Sequence, residues 1–207
     1  MSNAPILIGI TGNIGSGKST FCSLLREAGY NVVAADEVAG RQLDDPQTLK
    51  KIARRWGTVV VSGGKPDRKK IAEIVFNSKT ELDFLNHLVH PQTLIALQQI
   101  VDDSPEKYLF FEVPLLFEAG LQRCFDYIVL ICADRARRLQ RLTRKGKAKA
   151  EEIEARMDAQ IDDLGKAPLC DLVIDNNGTL KTLKTRVTNF IANLEGIRQR
   201  DKIPFSI

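Results

Sequence analysis

Residues 12–19 read GNIGSGKS, a complete GxxxxGK[ST] segment. No other part of the chain constrains the fold as much, because this pattern works only as a turn between a buried strand and a helix. Both flanks are present. ILIGI at 6–10 is a short apolar run, and Thr20 to Ala28 carries apolar residues at helical spacing until Gly29 offers a stop. In such a turn the glycines let successive backbone N–H groups face phosphate oxygens, and the helix N-terminus adds the positive end of its dipole. Lys18 reaches the outer phosphates and the Ser19 hydroxyl ligates Mg²⁺. A plain glycine turn gives the spacing alone, whereas the Lys-Ser pair with both flanks points to a bound nucleotide.

The same alternation continues down the chain. NVVAA at 31–35 is a second buried-strand candidate ending on Asp36, and YLFFE at 108–112, DYIVLICA at 126–133 and DLVID at 171–175 are three more. Runs this apolar, separated by helical stretches, fit strands covered on both faces of a parallel sheet. The predicted class is α/β, with a five-stranded parallel sheet flanked by helices. Asp134 is placed to cap the helix after the fourth strand, and Leu180, Leu183, Val187, Phe190, Ile191 and Leu194 stripe a final helix. From about residue 40 to 105 the alternation gives way to helical patterns around Leu49–Trp56, Ile71–Phe76 and Leu82–Val101, the last holding Pro91. This interval reads as a helical insertion, with VVVSGGKPD at 59–67 an extended piece and turn within it. The tail beyond Glu195 reads as loosely attached.

Composition narrows the class further. The 207 residues, 43% of them hydrophobic, suffice for one cooperative core or a core with an inserted subdomain. No run approaches the roughly 18 uncharged apolar residues of a bilayer span, and ILIGI is too short for a signal peptide, so the default address is cytoplasmic. Cys22, Cys124, Cys132 and Cys170 are widely separated with no CxxC pair, which fits reduced structural thiols. The net charge of +4 is concentrated in residues 135–149, which hold eight cations and no acid. That run is a solvated helix face, a nucleic-acid patch, or a set of cations closing over a polyphosphate. Nucleic-acid patches usually interleave aromatics for stacking, and this one contains none.

Two carboxylates are candidates for chemistry. Asp36 would lie at the carboxyl edge of the sheet, the edge of the phosphate loop, where a carboxylate can accept a hydroxyl proton or hold Mg²⁺ through water. It could equally cap a helix starting at Glu37. Glu112 ends the third strand in the position of a metal-orienting carboxylate, or is a strand-end surface residue. His87 and His90 stand i, i+3 on a helical pattern with no third ligand nearby, which favours a structural or surface role. A GTPase switch should carry NKxD, and the chain has none. A kinase of a small acceptor, or a nucleotide-dependent RNA-binding protein, remains compatible with these residues.

The ordered set ITGNIGSGKST at 10–20, AADEVA at 34–39, His90-Pro91, VPLLFE at 113–118, RMDAQ at 156–160 and DLVIDNNGT at 171–179 resembles the dephospho-coenzyme A kinases, from Ile8 to about Leu194. The resemblance implies a P-loop kinase core with a helical acceptor-binding insertion and a lid: core segments 5–39, 106–138 and 168–195, acceptor domain 40–105, and lid 139–167. It implies transfer of the ATP γ-phosphoryl group to the ribose 3′-hydroxyl of dephospho-CoA, with Mg²⁺, as the last step of coenzyme A synthesis. Carried over by residue, Gly15, Ser16, Gly17, Lys18, Ser19 and Thr20 hold ATP phosphates, Asp36 is the base and Arg141 belongs to the lid. Asn176 and Asn177 are similar to the family's adenine-side loop, and Ser19 with Glu112 is the implied metal site. The partner it implies is the small molecule dephospho-CoA, with no nucleic acid or membrane, and the expected state is a monomer or weak homo-oligomer. The chain departs from the family in three places. Glu112 stands where an aspartate is usual, Lys145 and Gly146 where the lid commonly has Arg and Asp, with Arg144 an alternative to Lys145 as second lid cation, and Arg41 in a segment about one residue longer.

Overall fold

The computed structural model describes residues 4–144 and 150–206. The chain begins with β1 (Ile6–Thr11), α1 (Lys18–Glu27) and β2 (Val32–Ala34). It continues through α2 (Ala35–Arg41), α3 (Pro46–Trp56), the short strands β3 (Val61–Ser62) and β4 (Lys65–Pro66), α4 (Arg68–Phe76) and α5 (Lys79–Asp102). The remainder is β5 (Tyr108–Glu112), β6 (Tyr127–Cys132), α6 (Arg135–Arg144), α7 (Ala150–Asp158), α8 (Asp163–Lys166), β7 (Leu172–Asp175) and α9 (Leu180–Ala192). Two compact units result, 1–34 with 103–204, and 35–102 with 205–207.

The first unit is built on a five-stranded parallel sheet in the order β2-β5-β1-β6-β7. β1 is central, pairing with β5 from Ile6 opposite Tyr108 to Ile10 opposite Glu112, and with β6 from Ile8 opposite Tyr127 to Thr11 opposite Leu130. A central strand covered on both faces has no solvent side, which is why β1 is buried from Leu7 onward and reads as an unbroken apolar run. On one face Ile8, Ile10, Phe110, Val129 and Ile131 pack with Phe21 and Leu25 of α1 and Leu183, Val187 and Phe190 of α9. The Phe190 ring lies 5.8 Å from that of Phe21 and 6.3 Å edge-on to that of Phe110. Burying such rings is worth about 2 to 3 kcal/mol each. Thr179 caps α9, its Oγ1 accepting the Thr182 N–H at 3.2 Å. Among the described residues no helix is long and apolar enough to cross a membrane.

The second strand is shorter than predicted. β2 stops at Ala34 and α2 already begins at Ala35, so Asp36 lies in the first turn of α2 instead of ending a strand or capping a later helix. Acidic Asp36 and Glu37 suit that turn, where they complement the helix dipole.

The second unit is helical, apart from one hairpin. Val61 pairs with Pro66 and Ser62 with Lys65 across Gly63-Gly64, whose positive φ angles of 57° and 76° are those a two-residue hairpin turn requires. Asp45 caps α3 through the Thr48 N–H at 2.7 Å, followed by Pro46 at the favoured first helical position. α5 runs straight through Pro91 as one 24-residue helix. Ile52, Val60 and Ile71 form a buried cluster with Trp56 and Leu85 against it. Glu81 accepts from Arg55 at 2.8 Å and from the Trp56 indole at 2.6 Å.

The tail is not loose. Arg200 donates its backbone N–H to Asp126 at 2.8 Å, and the Lys202 ammonium lies 2.7 Å from the same carboxylate, which also accepts the Leu7 N–H at 2.8 Å. The Arg200 guanidinium pairs with Asp171, which accepts the Ile128 N–H. Asp126 and Asp171 precede β6 and β7, so the tail straps the amino ends of the strands. Sequence periodicity cannot detect an irregular strap held by ion pairs.

Asp126 is fully buried, so Asp126→Ala strands the Lys202 charge and should lower unfolding stability by about 3 kcal/mol, read from urea titration. In the second unit, the Arg55 and Trp56 hydrogen bonds hold the Glu81 carboxyl down at about 2, from an ordinary value of 4.5. A depressed carboxyl stabilises the fold fully above its unfolded value and loses that contribution as pH falls through its folded one. The stability difference between the parent and Glu81→Gln should therefore be constant above about pH 5 and vanish towards pH 2, in urea melts across that range.

Candidate active site

β1 ends at Thr11, and the next residues cannot continue the strand. Gly12, Gly15 and Gly17 all have positive φ, and Gly17, at 97°, leads directly into α1 at Lys18. Only glycine takes this sequence of angles cheaply. Space is a second requirement. A Cβ on Gly17 would lie 2.1 Å from the Asn176 amide nitrogen, and one on Gly15 would lie 2.9 Å from the Arg138 carbonyl. The loop is thus closed on one side by the start of α6 and on another by the turn after β7.

Those neighbours hold the loop by its carbonyls. Arg141 of α6 donates to the Ser16 carbonyl at 3.2 Å, to the Gly15 carbonyl at 3.4 Å and to the Asn176 carbonyl at 2.7 Å. Asn176, itself buried, donates its side-chain amide to the Ser16 carbonyl at 2.7 Å. Asn177 does not reach the loop. Its Oδ1 accepts the Asp134 N–H at 2.9 Å, tying the turn after β7 to the start of α6. A cleft of about 650 Å³ opens beside these groups, lined by phosphate-loop residues that include Lys18, Ser19 and Thr20, with Arg141, Arg144 and Asn176. Lys145 lies outside the described residues.

Ser19 and Glu112 meet. The Ser19 hydroxyl donates to Glu112 Oε1 at 2.7 Å, joining the first turn of α1 to the carboxyl end of β5. A hydroxyl and a carboxylate side by side are oxygen donors of the kind Mg²⁺ takes, and no cluster of three or more His, Cys, Asp or Glu capable of caging a metal occurs among the described residues. The pair fits an ion completed by phosphate oxygens and water. The Ser16 hydroxyl is buried without a protein partner, a second polar atom suited to a phosphate-filled loop. Burial, and then the Glu112 charge, push the Cys22 thiol far above its ordinary range, and burial raises Cys124, Cys132 and Cys170 as well. All four cysteines are free.

Asp36 is exposed on α2 in the second unit, two residues beyond Ala34, which sits opposite Glu112 in the β2–β5 register. His87 and His90 are exposed on α5, and the His87 ring bonds its own helix at the Asp83 carbonyl, 2.7 Å away. They assemble no site. Sequence reading misses the contacts on the loop's other flank, where Gln160 meets Ile14 and Lys166, paired with Glu118, meets Asn13. The available signal is RMDAQ and the final Glu of VPLLFE, which no elementary spacing rule interprets.

A parallel sheet carrying a phosphate loop at its carboxyl edge, with a cationic helix packed over that loop, defines a P-loop phosphotransferase of the nucleotide-kinase type. The family model for CoaE, dephospho-CoA kinase, matches residues 6–182. A dephospho-CoA kinase of Chlorobaculum tepidum is 38% identical over 92% of this chain and 95% of its own length, and one of Fusobacterium nucleatum is 33% identical over 89% and 96%. Among solved structures, a Thermus thermophilus protein superposes with a TM-score of 0.78 at 34% identity, covering 92% of this chain and 98% of that one. Dephospho-CoA kinase from Campylobacter jejuni gives 0.70 at 28%, over 92% and 97%. An Acinetobacter baumannii shikimate kinase, at 0.53 and 15% over 92% and 95%, shares the fold alone. The chain belongs to the dephospho-CoA kinase family.

Gly17→Ala tests the loop geometry. Its Cβ meets the Asn176 amide and its φ disfavours any side chain. Nucleotide affinity by calorimetry should fall more than tenfold, while the far-ultraviolet dichroism stays that of the parent.

Proposed function

We infer that this protein transfers the γ-phosphoryl group of ATP to the 3′-hydroxyl of the ribose of dephospho-CoA, giving coenzyme A and ADP in the final step of coenzyme A synthesis. The observation that carries this reading is a family match spanning residues 6–182, on a chain whose phosphate loop is intact and closed by its own helix and turn. That match supports this reading over other small acceptors and over an RNA-binding protein.

In the mechanism we favour, the N–H groups from Gly15 to Thr20 bind the β and γ phosphates and Lys18 neutralises charge that builds on them. Ser19 and Glu112 would hold Mg²⁺, which supplies further neutralisation of the phosphate oxygens when bound. Arg141 adds a fixed positive charge on the loop, and Arg144 lines the same cleft. Asn176 and Asn177 form the turn facing the nucleotide's base. Asp36 accepts the 3′-hydroxyl proton as the ribose oxygen bonds to the γ-phosphorus and the bond from that phosphorus to ADP breaks. The helical unit, with His90-Pro91, receives the acceptor, and the segment 139–167 acts as the lid. The enzyme works in the cytoplasm as a monomer or weak homo-oligomer, without nucleic acid.

The deciding experiment measures ADP release from ATP and Mg²⁺ with and without dephospho-CoA, with mass spectrometry of the acceptor. One added phosphate on dephospho-CoA is the expected result, and no acceptor-stimulated turnover overturns the reading. Asp36→Asn should then cut turnover by about two orders of magnitude and leave ATP affinity nearly unchanged. Parental turnover in that variant removes Asp36 from the base role.

A further inference from the structure

The phosphate loop has a flank that the transfer mechanism leaves unused. Asn13 and Ile14 precede the glycines that face phosphate, and both are held by the segment following α7. The Ile14 N–H donates to Gln160 Oε1 at 2.8 Å. The Asn13 side chain is almost wholly buried. It donates to the Ile161 carbonyl at 3.1 Å, and its Oδ1 accepts from the Lys166 ammonium at 2.8 Å. Lys166 is fully buried, and its charge is met by Glu118 at 2.9 Å, which also accepts the Ile161 N–H at 3.3 Å.

A buried ammonium is costly unless paired and hydrogen-bonded, and its partners here are a carboxylate and the loop itself. Core stability would be served as well by an apolar residue, so the location of the charge calls for another reason. Asn13 supplies one: its carbonyl accepts the Ser16 N–H at 3.0 Å, closing the turn that aims the next amides. Whatever fixes Asn13 and Ile14 fixes the register of those amides. Gln160 stands two residues beyond the end of α7, whose Asp158 is ion-paired with Arg135 at the start of α6 at 2.7 Å. Helix α6 and the segment just after α7 therefore grip opposite flanks of one loop, Arg141 by its carbonyls and Gln160 by an N–H.

We propose that Gln160 and Lys166 are positioning residues for phosphate transfer, holding the loop through the Ile14 N–H and the Asn13 side chain so that its amides are preset for the nucleotide. Neither lines the cleft beside the loop. The proposal rests on the nucleotide reading of the loop and does not depend on the identity of the acceptor.

The test uses the full chain with Gln160→Leu, which removes the acceptor at similar size, and Gln160→Glu, which keeps an oxygen for the Ile14 N–H. Calorimetry with ADP and Mg²⁺ needs no acceptor, and steady-state kinetics varies ATP and dephospho-CoA separately. Gln160→Leu should weaken ADP binding and lower kcat/KM for ATP about tenfold, the effect of one half-buried donor losing its acceptor. The KM for dephospho-CoA should be unchanged, and Gln160→Glu should recover most of the loss. ADP affinity within twofold of the parent in Gln160→Leu overturns the proposal, as does an equal loss of affinity for both substrates accompanied by a lowered melting temperature. Lys166→Met is the second variant, expected to show the same ATP-selective loss; if it fails to fold, Gln160→Leu decides alone. A parent chain that binds ADP but phosphorylates no dephospho-CoA defeats the acceptor assignment and leaves the calorimetric comparison valid.

Discussion

A turn that presents successive N–H groups to phosphate must send its carbonyls the other way, and buried carbonyls need donors as much as phosphates do. Much of the first unit can be understood from that requirement. The Gly15 and Ser16 carbonyls receive Arg141, and Ser16 receives the Asn176 amide as well. These donors come from α6 and from the turn after β7, elements remote in sequence that the parallel sheet brings to one edge. The order β2-β5-β1-β6-β7 puts β6 beside β1 and β7 beside β6, so the loops leaving all three converge on the phosphate loop. Arg141 thus has a role before any nucleotide arrives, since its guanidinium completes the turn. A lysine there would offer the charge without the planar fork that serves three carbonyls at once.

The division of labour between the two ends of the sheet follows from the same topology. Chemistry gathers at the carboxyl ends, where Glu112 meets Ser19. At the amino ends, Asp126 and Asp171 each cap a neighbouring strand's N–H and receive the basic residues of the C-terminal strap. Carboxylates thus appear at both edges with different partners: a nucleotide-side hydroxyl at one, chain-closing cations at the other. Composition cannot separate these roles, and neither can distance along the sequence.

Legibility in the sequence follows local pattern. The five strands announce themselves because a strand covered on both faces has no polar side, and the phosphate loop because its glycines and Lys-Ser pair fill positions with no substitute. The helical interval from 40 to 105 is visible from its periodicity, and Gly63-Gly64 marks its hairpin. Asp36 falls at a helix start and not at a strand end, since Ala34 and Ala35 suit either element equally well. The strap escapes detection because ion pairs between an irregular tail and strand-end carboxylates leave no periodic trace. Gln160 enters only through a family resemblance and Lys166 not at all, because a hydrogen bond spanning 146 or 153 residues cannot be foreseen from either end.

Glu112 is fixed at its backbone and freer at its side chain. It occupies the last residue of β5, opposite Ile10 of β1 and Ala34 of β2, so its backbone is held by two neighbours and cannot shift to accommodate its side chain. An aspartate at this position would place its carboxylate one methylene nearer the strand. Here the longer stem brings Oε1 to 2.7 Å from the Ser19 hydroxyl and leaves the carboxylate only partly buried, beside the suppressed Cys22 thiol. A carboxylate acting on a metal through water tolerates a displacement of that size better than one bound directly, because the intervening water can move with it. In the proposed mechanism Glu112 would serve the ion through such a water, beside Ser19.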